Sequence, residues 1–285
     1  MNSRPTLIAS IAELRTALAA VRKAGKRIGL VPTMGALHDG HLSLVRACKK
    51  ECDCTVVSIY VNPSQFGPHE DLEKYPRALH DDLDVLSTLN AEFVFAPSDK
   101  EMYPEGYGSW VEVGAAAEPL EGRCRPGHFR GVATVVLKLL NIVQPDAAYF
   151  GQKDYQQVLV VRRMVEDLNV PVEIRVCAIV REPDGLAMSS RNRHLSPEAR
   201  KRALVLWKSL QLGADLVAGG ERNAEKIIAQ MRKVILAAED ARIDYIALVD
   251  PETLAPVDAV SGRTLAALAV KIENTRLIDN CFLEP

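Results

Sequence analysis

Two histidines three positions apart raise the first chemical question. His38 and His41 lie in VPTMGALHDGH (31–41), where RIGLV (27–31) reads as a short buried strand and a helix is due to start near Gly40. Gly35 and Gly40 let backbone approach a ligand closely, and the first N–H groups of a helix point at any anion in front of them. The two imidazoles add donors for phosphate oxygens. From these residues alone three uses stay open: a phosphate or nucleotide cradle, a metal site, and histidines that only pack. The glycine spacing is not that of a P-loop and no Gly-Lys-Ser/Thr follows, which removes a Walker site. A zinc site needs a third ligand, and no HExxH is present.

Further residues invite chemistry but have plainer readings beside it. Lys153 and Asp154 follow the strand-like AAYFG (147–151): a phosphate-binding cation, or an exposed ion pair in a first helical turn. Asp81 and Asp82 are candidates for Mg²⁺, yet acidic residues early in a helix also complement its dipole. Arg123, Arg125 and His128 sit in a glycine- and proline-bearing loop that either closes over phosphates or is simply solvated. Cys48, Cys52 and Cys54 cluster as CKKECDC, but no second C-x₂-C exists to complete a zinc site. They read as reduced structural thiols pointing in different directions, in a reducing compartment.

The elements that must position these groups follow a repeating pattern. Ser10 and Glu13 form a capping box for a helix with Ile11, Leu14, Leu18 and Val21 on one face, and Gly25 is placed to end it. HLSLVRACKKE reads as a helix, TVVSIYV (55–61) as a strand stopped by Asn62-Pro63, Leu79 to Leu89 as a helix, and EFVFA (92–96) as a strand. SWVEV (109–113) is a further expected strand. GVATVVLKLLNIV is a helix, then come AAYFG, the helix KDYQQVLVVRRMVEDL and the strand VEIRVCAIV (172–180). Strands alternating with helices predict a Rossmann-like, doubly wound parallel sheet in an α/β domain, 1–184, with ligands beyond the carboxyl ends of the strands.

After about residue 185 the texture changes. Ser196-Pro197 starts a helix expected to run to about Val217, and Asn223 caps another ending near Ala238. Three strand-like runs follow, 244–250, 264–272 and 275–283, which predicts a smaller C-terminal α+β domain, 185–285. The net charge of −2, without a Lys/Arg block, argues against a nucleic-acid partner. No apolar run approaches the roughly 20 residues of a membrane span, and MNSRPTLIASIAELR has no secretory h-region. A cytoplasmic location with no membrane contact is the expectation.

H-x-G-H after a buried strand resembles the HIGH signature of the nucleotidylyltransferase and class I aminoacyl-tRNA synthetase superfamily. Within it, PTMGALHDGH is similar to the pantoate–β-alanine ligase family. The resemblance continues through VVSIYVNPSQF (56–66), YPR (75–77), HFRGVATVVLKLLNIVQPDAAYFGQKDYQQ (128–157) and REPDGLAMSSRN (181–192), in the family's order. It implies ATP-dependent condensation of pantoate with β-alanine through a pantoyl adenylate, with Mg²⁺ and a homodimer. Position by position it implies ATP binding by Met34, Gly35, Ala36, Leu37, His38, Asp39, Gly40 and His41, with His41 as proton donor and His38 holding phosphates. Gly151, Gln152, Lys153 and Asp154 correspond to a second ATP-binding stretch, and Val180 to a backbone contact with adenine. Met188, Ser189, Ser190 and Arg191 match the counterpart of the synthetase KMSKS loop. Gln65 resembles a glutamine shared by pantoate and β-alanine, with Asn62 nearby, and Gln157 a further pantoate contact. Gln152 departs from the pattern, since relatives often carry Glu there.

The inventory also suits the chemistry read without the family. A carboxylate is a poor acceptor for an amine because its leaving group would be oxide; attack on the α-phosphate of ATP gives an acyl adenylate with a good one. The charge at phosphorus calls for positioned cations, donors and Mg²⁺. His38, His41, Lys153 and Arg191, as catalytic groups, and the Ser189 and Ser190 hydroxyls fit, with no covalent enzyme intermediate. The residues after 190 would then form a lid that keeps water from the adenylate. The rivals are a nucleotidylyltransferase that stops after nucleotide transfer and a nucleotide-binding regulator without turnover.

Overall fold

The computed structural model describes residues 4–68 and 70–285; Met1 to Ser3, part of the stretch read as lacking a signal, lie outside that range. The chain divides into two compact units, one running to Gln152 and including Gln157–Ala178, the other comprising Lys153–Gln156 and Ile179–Pro285.

The first unit is built on β1 (Thr6–Ile8), α1 (Ile11–Lys23), β2 (Ile28–Thr33), α2 (Asp39–Glu51), β3 (Cys54–Ile59), α3 (Leu79–Ser87), β4 (Phe93–Phe95), the short α4 (Asp99–Met102) and α5 (Glu121–Cys124), α6 (His128–Val143), β5 (Ala147–Gly151), α7 (Tyr155–Asp167, all but its first two residues) and β6 (Glu173–Cys177). The six strands are all parallel in the order β1-β4-β3-β2-β5-β6. Alternate strand residues face opposite sides. Ile28, Leu30, Cys54, Val56, Ala148 and Phe150 join the core with α1, α6 and α7, whereas Val31, Val57, Ala147 and Tyr149 join the one with α2 and α3. Both faces are covered, the doubly wound arrangement expected.

The strand order reverses between β2 and β5, and in such sheets the switch point is where a crevice opens beyond the strand ends. The Met34–His41 loop leaves β2, and Gly151–Gln152 leaves β5. Ser10 caps α1 through its side chain and the Glu13 N–H, as its sequence signature predicts.

SWVEV is not a strand. Residues 107–114 carry no regular structure; the Val111 N–H donates to Thr134 Oγ1 on α6 at 3.0 Å, and Trp110 packs with Tyr103, Tyr107 and the Arg130 guanidinium. A side chain and an aromatic cluster, not a neighbouring strand, hold this β-prone run. Two of the clustered cysteines also converge. A Cβ added to Gly29 would overlap Cys48 Sγ and come within 2.9 Å of Cys52 Sγ, while Cys54 belongs to the core on the other face. Burial, ahead of its neighbours, pushes the Cys48 thiol up to about 12, an inert packing group.

The second unit has α8 (Pro197–Arg202), α9 (Val205–Ala218) and α10 (Ala224–Leu236), then an antiparallel sheet of β7 (Arg242–Val249), β8 (Thr264–Ile272) and β9 (Thr275–Leu283), with β8 central. Ser196 and Asn223 are N-caps as expected. The single helix expected over 196–217 is broken at Ala203–Leu204. There the N–H groups of Leu204 and Leu206 take i−3 carbonyls, those of Lys201 and Ala203, so that the chain steps in a tighter turn. Leu206, Leu210, Val217, Ile227, Met231 and Ile235 pack against Ile246, Leu248, Ala266, Leu268 and Val270 of the sheet.

Candidate active site

In the first unit the histidine motif begins where β2 ends. Thr33 Oγ1 donates to the Ser58 carbonyl (2.7 Å) and accepts the Gly35 N–H (3.2 Å), which starts the turn. Gly35 and Ala36 then both take positive φ, +80° and +51°, so Ala36 bears the steric cost of a left-handed conformation. Asp82, in the first turn of α3 and almost fully buried, holds that conformation: its two oxygens accept the N–H groups of Ala36 (2.9 Å) and Leu37 (2.7 Å). This role was invisible in the sequence, where Asp82 looked like a dipole-complementing residue or an ion ligand.

His38 is the N-cap of α2. Its Nδ1 accepts the Gly40 N–H at 3.1 Å, so a neutral His38 carries its proton on Nε2 and is a donor there. The helix therefore starts at Asp39, beside the Gly40 expected from the sequence. The His41 ring lies 4.1 Å from that of His38, tilted by 36°. Both rings are half-buried.

The VNPSQF turn meets this motif. Gln65 Nε2 lies 3.3 Å from Met34 Sδ, and its Oε1 accepts from Asn62 Nδ2 at 3.0 Å. Asn62 is buried and fully engaged: it also donates to the Gly131 carbonyl, and its Oδ1 accepts from Ser64 and Tyr103. Its amide thus fixes Gln65. Behind the turn, a Cβ on Gly131 would overlap the Ser64 carbonyl and stand 2.7 Å from Gln65 Cα, so α6 meets the turn backbone to backbone.

Arg125 and His128, which the sequence left open as a phosphate-closing or solvated loop, are tied into the protein by hydrogen bonds. Arg125 makes a bidentate pair with Glu70 (2.8 and 2.6 Å), and its Nη1 donates to His128 Nε2. His128 Nδ1 donates to the Gln65 carbonyl at 2.8 Å. Burial first, and the Arg125 charge second, push the imidazole down to about 4, which keeps it neutral. Burial alone would raise the Glu70 carboxyl, but its bonds and charge contact with Arg125 outweigh that and leave it lowered. Arg123 is exposed. Gln157 is half-buried on α7.

In the second unit, Lys153 is mostly buried and 3.9 Å from Asp154. The Met188 N–H donates to the Val180 carbonyl (3.0 Å), and Arg181 bridges to Ala187 across a turn with Gly185 at φ +98° against Trp207. Ser189 caps the 3₁₀ turn Ser190–His194, its Oγ accepting the Arg191 N–H. Asn192 Nδ2 donates to Glu182 and to the Ala187 carbonyl, so that MSSRN is stitched to the segment beginning at Val180.

No group of three or more His, Cys, Asp or Glu side chains among the described residues is placed to share a metal ion. Both Asp82 oxygens serve backbone N–H groups, and Asp81 is exposed on the helix surface. These residues do not fit a magnesium cage built by the protein.

The profile of the family described as pantoate-beta-alanine ligase matches residues 6–282. The chain belongs to the pantoate–β-alanine ligase family. Similar curated members of that family include the pantothenate synthetases of Moorella thermoacetica, 55% identical over 98% of each chain, and of Roseiflexus castenholzii, 57% identical over 98% of this chain and 99% of the other. A crystal structure of the pantothenate synthetase of Thermus thermophilus is 45% identical with a TM-score of 0.94, covering 98% of this chain and all of that one. The pantoate-beta-alanine ligase of Francisella tularensis, solved with beta-gamma ATP and beta-alanine, is 36% identical with a TM-score of 0.82 over 97% of both chains. The family resemblance read from the motifs therefore holds along nearly the whole ligase chain, including the last hundred residues, where the match by motif was weakest. No helix among the described residues is long and apolar enough to cross a membrane.

Proposed function

We propose that this chain condenses pantoate with β-alanine at the expense of ATP, through a pantoyl adenylate. The observation that carries this is the family match across residues 6–282. In the first step a pantoate carboxylate oxygen bonds to the α-phosphorus of ATP, the α–β bridge breaks and pyrophosphate leaves. In the second, the amine of β-alanine adds to the acyl carbon, the acyl C–O bond breaks so that AMP leaves carrying the pantoate carboxylate oxygen that had joined carbon to phosphorus, and the amine gives up a proton.

Each residue has a stated task in this reading. Met34–His41 binds ATP, with His38 Nε2–H holding phosphate and His41 donating as charge builds on the departing pyrophosphate. Lys153 and Arg191 are the cations for the phosphates, with Ser189 and Ser190 as donors beside them. Gly151–Asp154, Val180 and Met188 complete the nucleotide contacts. Gln65 orients pantoate and β-alanine, Asn62 acts by holding Gln65, and Gln157 adds a pantoate contact. Mg²⁺, if brought in with ATP, would neutralise phosphate charge and would need few protein ligands. A homodimer, cytoplasmic location and a lid formed by 185–285 belong to the same reading.

Labelled pyrophosphate exchange into ATP, dependent on pantoate, followed by AMP release dependent on β-alanine, tests it. Exchange without pantoate would point to a nucleotidylyltransferase, and no exchange to a non-catalytic binder; either result rejects the ligase.

A further inference from the structure

Adjacent residues on β9 reach two separate nucleotide-handling segments of the second unit. Successive side chains on a strand point to opposite faces. Asp279, with Leu277 and Cys281, faces the helices; Asn280, with Phe282, faces the other way. On the helix side, Asp279 is almost wholly buried and accepts both Arg181 Nη1 (2.6 Å) and Nη2 (3.0 Å). The Arg181 guanidinium lies 3.7 Å over the Trp207 ring and donates to the Gly185 carbonyl, inside the turn that carries Val180 to Met188. On the opposite face, Asn280 Nδ2 donates to the main-chain carbonyl of Lys153 at 2.9 Å. Tyr155, two residues on, meets Phe282 edge to face and donates to the Pro251 carbonyl.

A buried ion pair gains little net stability over a well-packed apolar pair, because desolvation offsets the attraction; what it does supply is a fixed geometry. The Asp279 carboxylate also accepts the main-chain N–H of Asn280 (2.8 Å), so the pair with Arg181 anchors the backbone from which the Asn280 side chain projects. A part-buried side-chain amide-to-carbonyl bond of ordinary length, 2.9 Å, then fixes the peptide from which the Lys153 side chain springs. A flexible four-carbon stem needs such a fixed root if its ammonium is to meet a phosphate in one place.

We propose that Asn280 is a positioning residue for adenylation, acting through the Lys153 main chain and held in place by the Asp279–Arg181 pair. This rests on the reading of Lys153 as a phosphate-binding cation.

The test measures three rates in the full chain: pantoate-dependent pyrophosphate exchange, aminolysis of supplied pantoyl adenylate, and exchange in a Lys153→Gln background. Asn280→Ala should slow exchange about 10-fold, yet change aminolysis by less than about 2-fold. In the Lys153→Gln background the same substitution should cost less than about 2-fold, since its route of action is already gone. If Asn280→Ala does not fold, the isosteric Asn280→Asp, which turns an acceptor towards the Lys153 carbonyl, is measured in the same way. Full additivity with Lys153→Gln, equal losses in both half-reactions, or unchanged exchange would each overturn the proposal. Wild-type protein without pantoate-dependent exchange would instead reject the ligase reading itself.

Discussion

Asp82 on α3 and Leu37 in the loop after β2, 45 positions apart, are joined by a 2.7 Å hydrogen bond from the Leu37 N–H to the Asp82 carboxylate. With the matching bond from Ala36, it makes the shape of the Met34–His41 loop depend on α3. Asp82→Ala should destabilise the fold by about 2–3 kcal/mol, because two buried N–H groups lose a charged acceptor. Pantoate-dependent exchange should fall on the order of 100-fold, the cost of displacing a loop by an ångström. Denaturant titration and exchange kinetics check both; a stability loss with unaltered exchange would remove Asp82 from the site.

His41→Ala should slow adenylate formation roughly 100- to 10,000-fold, the range of a general acid. Aminolysis of supplied pantoyl adenylate should suffer far less, since no pyrophosphate leaves in that step. Equal losses in the two half-reactions would count against His41 as donor.

Gly131→Ala sets two effects against each other. Alanine favours the helix by up to about 1 kcal/mol, but its Cβ collides with main chain at Ser64 and Gln65, which has no flexible end to swing away. Overpacking should win, with a net loss of about 1–3 kcal/mol and a raised KM for pantoate through Gln65. Thermal denaturation and initial-rate kinetics read the two consequences.

His128 makes stability depend on pH. Its folded pKa is lowered to about 4 from 6.5, so between those values the unfolded chain binds more protons. The stabilisation from the neutral imidazole is complete above pH 6.5 and is lost as pH falls through that window to about 4. The full span is on the order of 3 kcal/mol. His128→Gln should flatten the pH dependence of the unfolding free energy over that range; an unchanged slope would place its source elsewhere.

The lid reading for 185–285 predicts slowed amide hydrogen exchange in that region when ATP and pantoate are added. Identical exchange with and without them would exclude it.

The α/β pattern and its C-terminal α+β companion were legible because strand and helix periods differ and their ends carry caps. Ser10, Ser196 and Asn223 could be read directly as caps. SWVEV shows the limit: β-branched and aromatic residues suit any extended, half-buried path, and the Thr134 hydroxyl and the cluster around Trp110 decide which. The same limit applied at the site. The motif residues stood together in sequence, but Asp82, Glu70 and Asn280 make their contacts from other elements through one or two hydrogen bonds each, and a lone acidic or amide residue carries no periodic signal. Arg125 and His128 looked available only because their partners lie far off in sequence, Glu70 55 positions from Arg125 and the Gln65 carbonyl 63 from His128.

The contact at Gly131 bears on attempts to change what the enzyme accepts. A wall made of side chains can be cut back, one methylene at a time, to admit a bulkier acid. Here the backing of Gln65 is peptide against peptide, with nothing to trim. On the proposed reading of Gln65 as a contact to the acid, extra room for a longer or branched substrate comes from Met34 or from Gln65 itself, and a library directed at α6 behind this turn should yield unstable variants before it yields a broader substrate range.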